Sequence, residues 1–563
     1  MKAADWFVKF LILNGTTEAF GLPGAVVLDL LYAMERFRPE FTPHLTYHEQ
    51  GAGFAACGYA QASGKLGVAY ATRGPGMTNM LTAMADAYYD SLPVMFVTAH
   101  SGAAKKQGMR VENNQEIDTV TLASSVAKYA VRVDRGEDLP HEVQRAYRMA
   151  TEGRKGPVFL DISVSALCGE IETEPVVLQI KEYRKLNDIA DDIVSAVRSA
   201  ERPVFLIGNG VRQAGMQEEM RRLAACAGVP VLSSRSAQDI LPDADMYFGF
   251  VGSHGTRYSN FILSKADVIV ALGNRLAFPV NSPSFRPVAE GAKVIQVDVD
   301  ETEFLREVPN TQPYAVDLRG LFPALLEQTF SYTGQEHWIS VCRELKQTLN
   351  HWDRTPAVQA VMRIMEAAEK NVVFVCDVGN HSFWATNAYT YSNASNRILY
   401  SGSFGTLGSA LPKAVGVCYG AKSPVFCFTG DQGVQMNIQE LQSIGQNRLP
   451  VAVVVLNNCA SAMIREREER KFKGHFVHTT PDSGYGTPDF RAIADAYQLS
   501  YHCITDVKAL EESGVVFENL PAVVEVRVDE QTPLAPYLPV GRPCQDLLPE
   551  LPRELYQRLD ALR

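Results

Sequence analysis

Residues 430–458 read GDQGVQMNIQELQSIGQNRLPVAVVVLNN, and their order decides the fold. The apolar run SPVFCFT (423–429) enters an acidic turn, an amphipathic helix follows, and LPVAVVVLNN (449–458) returns as a second apolar strand. Two buried strands joined by a helix form a parallel pair with a right-handed crossover. Both strands therefore end at the same sheet edge, which places Asp431 and Asn458 beside one another. A hard divalent cation carrying a diphosphate fits there, since magnesium takes oxygen ligands and leaves positions for phosphate oxygens and water. Gly-Asp is also a common turn dipeptide, so the stretch alone leaves an ordinary polar turn open.

The same alternation continues outward. GVAYATRGPG (67–76), PVMFVTA (93–99) and GPVFLDISV (156–164) are predicted strands of a first block. PVFLIGNG (203–210), DVIVALGNRL (267–276) and KVIQVDVD (293–300) belong to a second, and VVFVCDVGN (372–380) joins the opening stretch in a third. The expected fold class is α/β, with three doubly wound parallel-sheet domains. Polar stretches at 169–188 and 331–355 separate them, giving expected boundaries of 1–170, 186–335 and 356–540, with a C-terminal tail at 541–563. EQGAGFAACGYAQASG (49–64) is a predicted helix whose small residues suit close packing.

Composition narrows the class. Of 563 residues 46% are hydrophobic and 21% charged, and the net charge is −11. An acidic chain lacks the basic surface that nucleic-acid binding requires. No apolar run reaches a membrane span and no signal peptide opens the chain. Ten cysteines stand singly, without CxxC spacing, which suits free thiols in a reducing compartment. A cytoplasmic multidomain enzyme is expected, with no nucleic-acid or membrane partner.

The three blocks resemble the thiamine-diphosphate (ThDP) enzymes of the acetolactate synthase-like branch. HLTYHEQGAGFAACGYAQASGKLGVAYATRGPGMTNMLTAMADAYYDSLPVMFVT (44–98) is similar to their pyrimidine-binding domain. The third block resembles their diphosphate-binding domain, and the second the central domain between them. The resemblance implies a ThDP- and magnesium-dependent carboligase that decarboxylates a 2-oxo acid, with pyruvate expected, and transfers the acyl carbanion to a carbonyl acceptor. It also implies a homodimer or homotetramer with sites shared between subunits. Glu49 falls at the catalytic glutamate that hydrogen-bonds the aminopyrimidine, and Gln115 at a glutamine facing the reacting centre. Val378, Gly379, Asn380 and His381 follow a strand and open a helix, where amides suit phosphate oxygens; Asn380 is equally a helix cap. Gly405, Gly430, Asp431, Gln432 and Gly433 line the cofactor by the same likeness. Leu407 is the expected apolar support beneath it, and Met463 and Ile464 pack its pyrimidine. Asp431, Asn458 and the Ala460 carbonyl are the expected metal ligands.

Several residues depart from the family pattern. Gln432 and Gly433 replace the usual small residue and serine. Arg73 stands for a small hydroxyl residue. Arg467 occupies a position that is tryptophan in members favouring larger acceptors; a guanidinium there suits a carboxylate, phosphate or polyhydroxylated acceptor, and it is equally a solvated charge in REREERK (465–471). YHEQGAGFAACGYAQASGK, TEGRKGPV and TPDSGYGTPDF also resemble members encoded among surface-polysaccharide genes, which admits a keto-sugar nucleotide as acceptor. Adjacent histidines used by pyruvate decarboxylases have no counterpart, although a nonoxidative 2-oxo-acid decarboxylase or lyase is the enzymatic alternative. An idle ThDP-binding scaffold is the non-enzymatic one. In the central block GNGVRQAG, GSHGTRYSN and GNRL resemble flavin-binding loops, but AFPVNS (277–282) replaces the acidic-basic run that normally follows. An empty central domain is therefore preferred over one holding FAD.

Overall fold

The computed structural model describes every residue except 102–109, 111–113, 180, 278–281, 393 and 506–518. Four residues of the AFPVNS stretch thus lie outside the described residues. The chain divides into two compact units, one comprising Met1–Ile180, Asn371–Ser382 and Ile398–Glu530, the other Lys181–Lys370, Phe383–Arg397 and Gln531–Arg563.

Three six-stranded parallel sheets carry the architecture, as expected. In the first unit one sheet runs Thr42–Leu45, Glu18–Gly21, Gly67–Ala71, Val94–His100, Val158–Ser163, Tyr129–Val133. The other runs Arg397–Tyr400, Val373–Cys376, Val425–Gly430, Val451–Asn457, Ala522–Arg527, Ser500–Ile504. Numbered within each sheet, both have the order 2-1-3-4-6-5, one topology used twice. Val451–Asn457 is buried along its whole length, as a strand covered by helices on both faces must be. Gly430 pairs with Leu456 and Cys376 with Phe428. Asp377, Asp431 and Asn458 therefore leave adjacent strands at one carboxyl edge. The neighbours Val373–Cys376 and Val425–Gly430 flank the point where strand order reverses, the place where open α/β sheets bind ligands.

The small residues of the helix Glu49–Ser63 have a packing role. It crosses the helix Ala410–Ala421 with backbones almost in contact: a Cβ at Gly58 would lie 2.2 Å from the Lys413 carbonyl, and one at Gly416 1.8 Å from that of Ala55. Any side chain at either glycine forces the helices apart.

The second unit holds the sheet Thr311–Ala315, Lys293–Asp298, Val268–Leu272, Pro203–Ile207, Val231–Ser233, Tyr247–Phe250, a dinucleotide-fold order. The polar stretch 331–355 includes a helix, Gln335–Leu349, which its composition did not predict; Trp338, Val341, Leu345 and Leu349 form its buried stripe. The reason is amphipathic spacing within a polar average. Arg257 holds Asp353 through two nitrogens and donates to the Leu547 and Pro549 carbonyls, fastening the tail. Among the described residues no helix is long and apolar enough to cross a membrane.

Candidate active site

The carboxyl edge of the second sheet in the first unit is organised by Asp377, whose role the sequence did not reveal. Its oxygens accept from the Gly408 N–H at 2.9 and 3.1 Å and from Thr429 Oγ1 at 3.0 Å. One carboxylate thus ties two neighbouring strands to the loop before the helix Ala410–Ala421. Burial pushes its pKa up to about 6 against the pull of the Val378 N–H, Thr429 and Gly408. A Cβ at Gly433 would lie 2.5 Å from Asp377 Oδ2, which accounts for glycine at this position. The side chain of Gln432 is half-buried, and nothing in the structure explains it.

His381 fills the turn beneath this edge. Its ring lies 2.9 Å from a Cβ placed at Gly379, where φ is +142°, and 3.1 Å from one at Gly430. The imidazole thus leaves no room for a side chain at Gly379 and would have to give by a few tenths of an ångström for one at Gly430. Burial draws the His381 pKa down to about 3, so the ring is neutral at physiological pH, and its Nε2 is buried without a hydrogen-bond partner among the described residues. Val378 is half-buried beside it. Asn380 does not cap its helix: Oδ1, the side-chain atom able to accept from helix N–H groups, is buried without a partner among the described residues, and Nδ2 donates to Glu466 Oε1 at 2.9 Å.

Asp431 Oδ1 accepts from the Gln432 N–H at 3.1 Å, whereas Oδ2 is buried with no hydrogen-bond partner among the described residues. Burial pushes this carboxyl up to about 6, and the nearby Tyr485 hydroxyl, the Gln432 and Asp431 N–H groups and the Cys459 N–H offset part of the rise. The Tyr485 hydroxyl faces Asp431 short of hydrogen-bonding geometry. Asn458 and Ala460 are buried in the following loop. That loop is shaped by Asn457, which donates to Glu525 at 2.6 Å and accepts from the Cys459 N–H at 3.1 Å, with Cys459 at φ +52°. A buried carboxylate oxygen with no hydrogen bond from the described residues is the kind of hard oxygen donor that magnesium takes. Among the described residues no three His, Cys, Asp or Glu side chains cluster as a metal site.

Other predicted residues are spread around these loops. Leu407 is half-buried between Gly405 and Gly408, both in the left-handed region at φ +72° and +82°. On the helix Ala462–Phe472, Met463 is half-buried, Ile464 is 46% exposed and Arg467 is exposed. Arg467 engages none of the described residues, while its neighbours Glu466 and Glu468 are bonded to Asn380 and Thr479.

The first sheet of the unit gathers a second group. Glu49 opens its helix, half-buried, and Oε2 accepts from Asn79 Nδ2 at 3.0 Å. Oε1 lies 3.6 Å from a Cβ placed at Gly76 in the TRGPG turn. Gln115, at φ +57°, packs its backbone against Gly74 of that turn. Arg73 donates to Ser101 Oγ at 2.6 Å. The fold thus brings Glu49, Gln115 and Arg73 to one turn. Glu440, fully buried, accepts from the Tyr47 N–H at 3.1 Å and Ser443 Oγ at 2.7 Å, so it holds the chain entering the Glu49 helix.

Models of the thiamine pyrophosphate enzyme N-terminal, central and C-terminal domains match residues 1–122, 190–326 and 377–526. The chain is 30% identical to the Escherichia coli acetolactate synthase isozyme 2 large subunit over 98% of this chain and all of that protein. The chain belongs to the thiamine pyrophosphate enzymes. Its likeness to the acetolactate synthase large subunit of Lactococcus lactis (30%, covering 95% and 94%) and to acetolactate synthase 1 of Zea mays (31%, covering 97% and 88%) puts it in the acetolactate synthase-like branch.

As a thiamine pyrophosphate enzyme the chain has a central domain whose glycine loops are already filled. A Cβ at Gly208 would lie 2.1 Å from the Gly273 carbonyl, and one at Gly210 2.6 Å from Gly273 Cα. The glycines of GNG and GNR are therefore accounted for by backbone packing between two loops. Asp377, Asn79, Glu440 and Tyr485 escaped sequence reasoning. Only Asp377, at a strand end two residues before the Gly379 turn, carried a local signal.

Proposed function

We propose that this enzyme is a ThDP- and magnesium-dependent carboligase that decarboxylates a 2-oxo acid, pyruvate being the expected donor, and joins the two-carbon unit to a carbonyl acceptor. The observation that carries the reading is the unpartnered, buried Asp431 Oδ2 at the sheet's switch point, beside the Asn458–Ala460 loop. Asp431, Asn458 and the Ala460 carbonyl would hold the metal. Val378, Gly379, Asn380, His381, Gly405, Gly430, Gln432 and Gly433 would surround the diphosphate, and Leu407, Met463 and Ile464 the rings. ThDP, when bound, supplies the electron sink for the carbanion left by carbon dioxide.

The chain's own residues orient and move protons. Glu49, held by Asn79, would exchange a proton with the aminopyrimidine nitrogen, a role that demands hydrogen-bond reach. Neutral His381 would meet phosphate oxygens without adding charge. Gln115, packed beside the TRGPG turn, would face the reacting centre of the adjoining subunit's site. Shared sites make a homodimer the minimum competent unit, and a homotetramer is compatible with it; the cytoplasm is the expected location.

The unengaged Arg467 favours an acceptor bearing negative charge or many hydroxyls, such as a keto-sugar nucleotide. Incubation with pyruvate, ThDP and magnesium, with and without a panel of second carbonyl compounds, tests the reaction by mass spectrometry. If acetaldehyde and carbon dioxide alone accumulate with every acceptor, the enzyme is a simple decarboxylase. FAD is not expected in the central domain, and a flavin absorption band in the purified protein would overturn that.

A further inference from the structure

A buried charge cluster lies apart from the cofactor edge. On the helix Pro75–Asp90, Asp86 is fully buried and accepts from Lys413 Nζ at 2.6 Å, Ser401 Oγ at 2.5 Å and Thr406 Oγ1 at 3.0 Å. One turn on, Asp90 accepts from the Gly402 and Ser403 N–H groups, each at 2.8 Å. Two carboxylates on one helix thus hold the start of the loop 401–408, and Asp377 holds its end through Gly408. Thr406 and Gly408 are anchored on either side of Leu407, so the backbone at Leu407 has little freedom in height or tilt.

Lys413 makes this arrangement stable. It is 1% exposed, and its ammonium ion is the cation paired with Asp86. Burial alone would lower the lysine pKa, but attraction to Asp86 and then Asp90 outweighs it and leaves it raised. Burial and then repulsion from Asp86 raise that of Asp90. Without the lysine, the fully buried Asp86 would keep an unpaired charge, with the half-buried Asp90 carboxylate one turn away, and an unpaired buried charge is strongly unfavourable.

We propose that Asp86, neutralised by Lys413, is a positioning residue that fixes the loop 401–408 and thereby sets the height at which Leu407 supports the cofactor. The proposal rests on the assignment of Leu407 made above. Asp86 touches neither cofactor nor substrate; it acts through Ser401 and Thr406. The same helix offers Asn79 to Glu49, so one rigid element orients both the catalytic carboxyl and the Leu407 loop of the chain.

The test measures ThDP affinity by calorimetry at saturating magnesium, together with the thermal midpoint of the cofactor-free protein. Ser401→Ala/Thr406→Val removes the two hydroxyl anchors and leaves the ion pair, so the dissociation constant should rise at least tenfold while the cofactor-free midpoint moves by no more than about 3 °C. Thr406→Ser keeps the donor and should hold wild-type affinity. Lys413→Met/Asp86→Asn removes both charges but keeps an acceptor oxygen for Ser401 and Thr406, so affinity within threefold of wild type is expected even if Lys413→Met alone does not fold. Leu407→Ala separates the assignments. If it binds ThDP as wild type does, the role given to Leu407 is wrong. If it loses affinity while Ser401→Ala/Thr406→Val does not, Leu407 stands and the anchoring by Asp86 is overturned. A loss in the anchor variant accompanied by a large drop in the cofactor-free midpoint would show a structural role only, and would equally overturn the proposal.

Discussion

Asp431→Asn should stabilise the cofactor-free enzyme while destroying the stabilisation that cofactor brings. In the folded chain without metal, burial holds the Asp431 pKa at about 6 against a reference of 3.8. Above pH 6 the carboxyl is ionised in both folded and unfolded chains, and the folded one bears the cost of a buried charge. Roughly 2 units at 1.36 kcal/mol each gives about 3 kcal/mol lost on raising the pH from below 4 to above 6. Asparagine keeps the Oδ1 acceptor for the Gln432 N–H and carries no charge at any pH, so it escapes that loss. The unit containing Asp431 has roughly 325 residues; at about 2.1 cal/mol/K per residue, 3 kcal/mol corresponds to a midpoint rise of about 4 °C. Scanning calorimetry of chelator-treated protein at pH 4 and 7.5 reads this directly. The variant should match wild type at pH 4 and exceed it at 7.5. With ThDP and magnesium the order should invert, because only wild type gains binding energy. A cofactor-free variant less stable than wild type at pH 7.5, or a difference independent of pH, would refute the argument that Asp431 is an uncompensated buried acid awaiting a cation.

Three further outcomes are expected. Glu49→Gln retains ThDP affinity within a few-fold, since the Asn79 contact tolerates an amide oxygen, but lowers turnover by about 10²–10⁴, the usual worth of a positioned proton-transfer group; calorimetry and product assay together check it. Gly433→Ala forces a Cβ to within 2.5 Å of the buried Asp377 carboxylate and should destabilise by about 1–3 kcal/mol, read by denaturant unfolding. Arg467→Ala should raise the KM for a charged acceptor about tenfold or more while leaving carbon dioxide release from pyruvate unchanged, because the exposed guanidinium has no partner to lose among the described residues; steady-state kinetics with charged and neutral acceptors distinguish the two.

Much of this was legible along the chain because its signals are local. The run from Gly430 to Asn458 spells strand, turn, helix and strand, and parallel pairing then forces Asp431 and Asn458 to one edge. Small residues in Glu49–Ser63 announce close packing, although not that Gly58 and Gly416 are the points of contact. The helix Gln335–Leu349 was hidden by a polar average over an amphipathic stripe. The cluster of Asp86 with Lys413 and Ser401 was hidden for another reason: Asp86 is more than 300 residues from both partners, and hydrogen bonding leaves no periodicity in sequence.

The sequence by itself determined the alternation of strands and helices, the order of the motifs and therefore the family and its cofactor chemistry, since backbone propensity and burial act over a few residues at a time. Tertiary structure alone decided that Asp377 ties two strand ends to a loop, that Gly433 is glycine to admit that carboxylate, and that Leu407 stands between two anchored neighbours. Those facts depend on which buried polar group finds which distant partner, and burial makes each pairing obligatory only after the chain has folded.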